Sequence, residues 1–532
     1  MVGSSRGASA QAALTFESAA VIVRDMPEPE PAGLRMRRVS RSRTWGALAI
    51  ATLALAALYS WSYGACLGGF FHFDDFWVLS AAAHIHLQSP LDVWQFFRPV
   101  HGFVLYRPIS TLLYFYLLHL FFGYDPTGYH ATQIAFHIVN ALLVYAIADT
   151  LLLSRVRALA AALVYATAPG HAIAACWMAL FTMTGTAFFY FLGLWTWLRF
   201  DSRWRVPLTL FVFCVSLLAS EHAVSFPIVL TLSAVLLAPR CTWRDVVREQ
   251  GLFYLIAAGA VAAKVYALRF NLAGTFPNLA AQVYIRTGYA VTANPLSLLR
   301  HLGRYVGFSI NLAYELSERD VWALAFGVLV VAAAVATTVG VLTARWTARR
   351  VRIAAFGLDV FIVALGQVLV LQAHLYSYYI GIAALGMSLA LIAFASMLPR
   401  VGGGAPIALA TALVVAHVWW SLALVKRSDE FTFLNDFSRS AAAWLYTVGS
   451  LTELQPVDEV VVPRDGLTDL VFDVGEAHRL FLCARYRVRT APQFDSQSQQ
   501  PGRLLVRQAV PFAQVPRSWA WMKQACAHQA RH

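Results

Sequence analysis

Apolar runs long enough to cross a bilayer recur from about Trp45 to about Val425, and no other feature restricts the fold as strongly. A run of about 20 apolar residues in hydrocarbon must satisfy its backbone polar groups internally, which a helix does. With 59% hydrophobic and 13% charged residues, the chain reads as an all-α polytopic membrane protein. Its net charge of +13 resides mostly in Arg clusters between apolar runs. That is how cytoplasmic loops look under the positive-inside rule, and it does not point to nucleic acid.

Putting the Arg clusters on one side threads about eleven transmembrane helices. The expected spans are Ala47–Leu67, Tyr129–Leu153, Ala158–Ala175, Thr182–Leu198, Pro207–Ser220, Ala223–Leu237, Leu252–Phe270, Val321–Thr343, Ile353–Leu371, Tyr376–Leu398 and Ala405–Val425. Ile109–Phe122 is short and bounded by Arg107-Pro108 and Gly123, so it reads as a helix lying in the outer interface. Leu296–Tyr314 carries Arg300, His301 and Arg304 and reads as interfacial or half-inserted. Residues 1–43 are polar, end in Arg35, Arg37, Arg38, Arg41 and Arg43, and are expected to form a disordered cytoplasmic N-terminus. The stretch that follows reads as a retained helix rather than a cleaved signal.

Residues 44–425 form the transmembrane domain in this reading, and residues 426–532 change character. Val457-Asp458-Glu459-Val460-Val461-Val462 and Leu470-Val471-Phe472, with the turn signal Asp465-Gly466, predict a small α/β extracytoplasmic C-terminal domain. The six cysteines show no metal-ligand spacing, and Cys483 and Cys526 could pair in an oxidising tail.

The polar residues stand out against this background. Phe73-Asp74-Asp75-Phe76 sets two adjacent carboxylates just past the first span. Charges at a bilayer edge are costly to keep, so acid–base or ion chemistry is one reading; a helix N-cap with a solvated neighbour is the other. Helix neighbours point about 100° apart, so the two acids are not expected to share one job. Arg107, before Pro108, suits a phosphate at the interface or a snorkelling anchor. His130, Gln133, His137 and Asn140 fall on one helix face, a pattern more typical of interhelical hydrogen bonds than of direct substrate contact. Glu221-His222 and His171 belong at the outer boundary, as do Arg269, Arg286, Arg300 and Arg304. Arg residues outside suggest an anionic ligand such as a lipid phosphate, or ordinary headgroup contact. His72, His84, His86 and His101 share the first loop with the Asp pair, without a recognised metal spacing.

These pieces line up in order with a known pattern. Phe73-Asp74-Asp75-Phe76-Trp77-Val78-Leu79, then Tyr106-Arg107-Pro108-Ile109-Ser110-Thr111-Leu112, then Phe122 to His130 with His137 and Asn140 beyond, resemble GT-C fold glycosyltransferases. The resemblance is to relatives of the transmembrane and tetratricopeptide repeat-containing O-mannosyltransferases and, more distantly, to protein O-mannosyltransferases. Pro169-Gly170-His171 with Trp177, Glu221-His222-Ala223-Val224 with Pro227, and Leu375-Tyr376 with Ile380-Gly381 look like the family's later motifs. The chain departs from the family at Ser220, where Lys is usual, and at Gln372-Ala373, where Glu-Arg is usual; no tetratricopeptide repeats follow.

The resemblance implies a polyprenyl-phosphate-linked sugar donor in the outer leaflet and a protein, lipid or polysaccharide acceptor. Asp74 or Asp75 would be the general base of an inverting transfer. Arg107, Arg300, Arg304 and His171 would bind the donor phosphate, with Glu221, His222, His130, His137, Asn140 and Tyr376 in support. No cofactor is required, although a divalent cation is compatible with the chemistry. The expected location is a bacterial inner membrane, with membrane lipids around the spans and the site on the extracytoplasmic side. A non-catalytic glycan-assembly partner on the same fold and a lipid or glycan transporter are the alternatives. A transporter would favour charges at mid-membrane, whereas these sit at span ends.

Overall fold

The computed structural model describes residues 41–98, 106–238, 242–275, 291–372, 374–397 and, with gaps, 412–524. Met1–Ala49 forms one unit, whose described part is the start of the first helix, and Ile50–His532 forms the other. Helices dominate: α1 (Arg41–Tyr63), α2 (Asp74–Ala83), α3 (Tyr114–Phe122), α4 (Pro126–Leu152), α5 (Arg155–Ala166), α6 (His171–Cys176), α7 (Phe181–Arg199) and α8 (Arg205–Ala219). These are followed by α9 (Phe226–Leu232), α10 (Trp243–Thr275), α11 (Pro295–Ser309), α12 (Asn311–Ser317), α13 (Asp320–Leu342), α14 (Arg349–Leu369), α15 (Ile380–Ala395) and α16 (Asp429–Leu454).

Among the described residues, seven helical segments are long and apolar enough to cross a bilayer: Ala49–Gly68, Pro126–Leu152, Met178–Arg199, Trp243–Ala263, Asp320–Leu342, Arg349–Leu369 and Ser377–Ala395. They coincide with seven of the expected spans. Three others are helical but short. Ala158–Ala175 is interrupted at Thr167–Gly170, where Pro169 withdraws a backbone donor, leaving α5 and α6. The fifth and sixth spans appear as Arg205–Ala219 and Glu221–Leu237. Most of Ala405–Val425 lies outside the described residues. The helix over Pro108–Phe122 buries Tyr114, Phe115 and Leu118 and exposes Leu120 and Phe121, so it covers the protein with one side and offers apolar surface on the other. Helix α11 lies tightly along α13. A Cβ at Gly303 would meet the Ala323 carbonyl oxygen, and one at Gly327 the Leu299 carbonyl oxygen.

The tail holds a three-stranded parallel sheet of β1 (Glu459–Pro463), β2 (Arg487–Ala491) and β3 (Arg503–Leu505) in the order β2-β1-β3. Val460, Val461 and Val462 are all buried, as befits a central strand covered on both faces. This α/β element has no core of its own. Val460, Val471, Phe481 and Trp444 pack in one cluster with Phe70, Phe71, Phe76 and Leu79 of the first outer loop. The backbone N–H of Phe70 donates to Ser438 Oγ on α16 at 2.6 Å.

A disulfide joins Cys66, just after α1, to Cys176 at the end of α6, across 110 residues of sequence. Cys483 is also disulfide-bonded, whereas Cys526 lies outside the described residues. A cross-link over so long a loop restricts the unfolded chain by about 2–4 kcal/mol. Replacing both Cys66 and Cys176 by Ser is expected to lower the melting temperature of the detergent-solubilised protein by several degrees. Unchanged melting would mean that the bond holds nothing.

Candidate functional site

The site grows from an unusual turn. Phe73 has φ +29° and ψ −109°, a backbone state that side chains other than glycine rarely adopt. Ring packing and three hydrogen bonds hold it there. The Phe73 ring stacks on Phe437 of α16 at 3.7 Å and lies 5.5 Å from Trp177. The His72 carbonyl accepts from the Asp75 N–H at 2.7 Å. Asp75 answers by accepting the His72 N–H at 2.8 Å on Oδ2 and the Ala179 N–H at 2.6 Å on Oδ1. Strain of this kind persists only when its surroundings over-determine it.

The two carboxylates therefore differ. Asp75 is fully buried, and both its oxygens are committed to backbone donors. Burial raises its pKa, opposed by the bonds from His72 and Ala179. Asp74 is exposed, yet desolvation by surrounding protein is the largest influence on it. Asp74 thus keeps contact with solvent while packed protein surrounds much of it. Its pKa is pushed up to about 6 by that desolvation and by Asp75, against the pull of Arg107. Both acids occupy the first turn of α2, where the helix dipole favours negative charge.

Arg107 forms the other side. Its Nε donates to Glu221 Oε2 at 3.0 Å and its Nη2 to Oε1 at 2.5 Å, a two-point pair that orients the guanidinium. Ser220 Oγ donates to Glu221 Oε2 at 3.3 Å. His222 Nδ1 lies 2.8 Å from Gln367 Nε2, and its ring is 5.3 Å from Tyr379. Aromatic rings continue from there. Tyr379 lies 4.7 Å from Tyr378, Tyr378 is 6.3 Å from Trp177, and Tyr376 stacks on Tyr378 at 5.2 Å. Asp74 is within electrostatic range of Tyr378. An acid, a paired cation and a row of aromatic faces thus lie within electrostatic or ring-contact range of one another.

The expected residues divide accordingly. Asp74, Asp75, Arg107, Glu221, His222 and Tyr376 gather here. Gln133 donates to the Ala174 carbonyl at 2.6 Å and to Thr184 Oγ1 at 3.1 Å. Asn140 donates to the Thr184 carbonyl, and His137 Nε2 lies 3.0 Å from Thr184 Oγ1. His130 is buried on the same face. The stripe fastens α4 to α6 and α7 from within. His171 is fully buried between the rings of His137 and Tyr165, so it sits in the core rather than at the outer boundary. Arg300 and Arg304 ride on α11, where Arg304 is engaged by Asp320 at 3.1 Å. The side chain of Arg269, and Arg286 and His101 entirely, lie outside the described residues. His84 Nδ1 lies 2.7 Å from the Ser80 carbonyl oxygen on α2, and no group of three metal-binding side chains forms among the described residues.

Sequence reasoning missed Phe437, Gln367 and the Cys66–Cys176 link. Phe437 reaches Phe73 across more than half the chain, and no local pattern announces such a contact. No protein-family model matches this chain, and no curated protein matches it.

Proposed function

We propose that this protein is an inverting glycosyltransferase. It moves a sugar from a polyprenyl-phosphate donor to an acceptor hydroxyl, with Asp74 as general base. The observation that carries this reading is the state of Asp74: open to solvent, its pKa raised to about 6 by its surroundings, and within electrostatic range of an oriented guanidinium. A base with a pKa near the working pH combines availability with proton affinity. The acceptor O–H proton passes to the Asp74 carboxylate as the acceptor oxygen bonds to the anomeric carbon from the opposite face. The bond from that carbon to the phosphate oxygen breaks, and the polyprenyl phosphate leaves with the electron pair. Arg107, aimed by Glu221, offsets the growing phosphate charge. Asp75 acts through the backbone, fixing the turn that presents Asp74. The faces of Trp177, Tyr376 and Tyr378 suit the apolar side of a sugar ring.

An oxidising, extracytoplasmic location for this end of the molecule is supported by the Cys66–Cys176 bond. The tail belongs to the same side because it shares a core with the Asp-bearing loop.

Transfer from a short-chain polyprenyl-phosphate hexose, followed in proteoliposomes across pH 4.5–8, tests the proposal. Asp74 must be ionised to take a proton, so the rate is expected to fall about tenfold per pH unit below about 6. An acid limb centred near the ordinary Asp value of about 4 would remove Asp74 from the role.

A further inference from the structure

A cavity of about 500 Å³ opens in the tail. Its wall consists of Arg439, Ser440 and Trp444 of α16, Pro463 and Asp465 after β1, and the segment from Arg507 to Phe512 after β3. The place is informative. The cavity lies outside the carboxyl ends of β1 and β3. The order β2-β1-β3 means that the chain leaves β1 toward one neighbour while β3 flanks it on the other side, which makes this the switch point of the sheet. Loops diverge at such a point and leave a crevice, and parallel sheets place their ligands there. The volume falls within the usual range for small-ligand sites, about 300–1,000 Å³.

The lining narrows the ligand. Two guanidinium groups, Arg439 and Arg507, border the cavity against one carboxylate, Asp465. That carboxylate is already used within its own turn, accepting the Thr468 N–H at 2.7 Å. Arg439 keeps 58% of its side chain exposed; its ionic partner Asp436, 66% exposed, is 3.9 Å away. Water screens so open a pair, and it holds Arg439 only weakly. Aromatic faces lie beside these charges: Trp444 in the lining, and Phe512 with the Arg439 guanidinium 5.8 Å from its centroid. The Val510 N–H donates to Thr447 Oγ1 of α16 at 2.9 Å, which ties the 507–512 wall to the helix. Cations able to make two-point contacts, aromatic faces and the amide of Gln508 together suit a sugar that bears an acid group.

We propose that this cavity is a binding site for an anionic saccharide unit carrying a carboxylate or a phosphate. The helix that walls it also bears Phe437, which stacks on Phe73 beside Asp74, so one helix links this cavity to the transfer site. Its assignment as part of the acceptor rests on the transferase reading; its ability to bind acidic sugars does not.

The test is calorimetry on the purified full-length protein in detergent, with digalacturonate, glucose 1-phosphate and maltose as probes. One or both acidic probes are expected to bind, with maltose at least tenfold weaker, and the stronger acid identifies the ligand's charged group. The double variant Arg439→Ala/Arg507→Ala is expected to lose at least tenfold in affinity at unchanged melting temperature. Arg439→Lys/Arg507→Lys, which keeps the charge without the two-point geometry, should recover part of it. Equal binding of maltose, no binding of either acid, or affinity untouched by the Ala variant would overturn the proposal. Asp74→Asn separates the two claims. Acid binding at wild-type strength in that variant supports the cavity whatever happens to transfer. Acid binding changed there in either direction would place the ligand beside Asp74 and overturn the cavity site.

Discussion

Asp74→Asn is expected to lower sugar transfer by about 10²–10⁴-fold, the usual contribution of a positioned general base. The same change should leave the folded protein equally stable or more so, and the sign follows from the electrostatics. The Asp74 pKa stands at about 6 in the folded protein against an ordinary value of 3.8. Folding therefore favours the protonated, neutral form, and at pH 7.5 the ionised side chain works against the fold. Asn supplies a neutral group of the same shape and removes that cost. A variant that melts no lower than wild type and no longer transfers sugar separates lost chemistry from lost structure. Full transfer by Asp74→Asn at equal expression would end the proposed mechanism, and a fall in melting temperature would contradict the electrostatic account of Asp74.

Asp75→Ala should do the reverse, acting first on structure. Its carboxylate accepts two backbone N–H groups, from His72 and Ala179, and is fully buried. Alanine leaves both donors without an acceptor, at about 1–3 kcal/mol each. Against a total stability of about 5–15 kcal/mol, that is a large fraction. The turn at Phe73 loses one of its restraints, so transfer should fall with stability. Asp75→Asn retains one acceptor oxygen and should lie between wild type and Asp75→Ala in both measurements. Thermal melts in detergent alongside the transfer assay check the ranking. If Asp75→Ala melts like wild type, the two backbone bonds do not hold the turn.

The contrast between these neighbours shows what sequence could express. Phe73-Asp74-Asp75-Phe76 was conspicuous as written, and the helix that starts there was foreseeable from an acid-rich first turn. Which acid faces solvent was not. That depends on Ala179, 104 residues away, donating its N–H to Asp75. Arg107 was likewise conspicuous, but its partner Glu221 lies 114 residues further on. His171 looked like an outer-boundary residue because it follows Pro169-Gly170. The chain instead tucks it under Tyr165 and His137. The interhelical role of Gln133, His137 and Asn140 was legible, since spacings of three and four put them on one face and a buried helix face must satisfy its polar groups. The shared core of tail and outer loop was not, because β-branched runs announce strands without naming what covers them.

Sequence alone determined the seven long helices, the helical polar stripe and the first strand of the tail; Leu470-Val471-Phe472, expected as a strand, is helical, and β2 and β3 carried no clear local signal. Hydrophobic period, run length and turn chemistry are local properties, and bilayer thickness converts run length directly into span. Tertiary structure alone decided that Asp75 holds while Asp74 stays open to solvent, that Arg107 meets Glu221, and that Phe437 closes on Phe73. Each of these is a contact between residues about a hundred or more positions apart. Such contacts follow from how whole helices pack, and no stretch of sequence contains that information by itself.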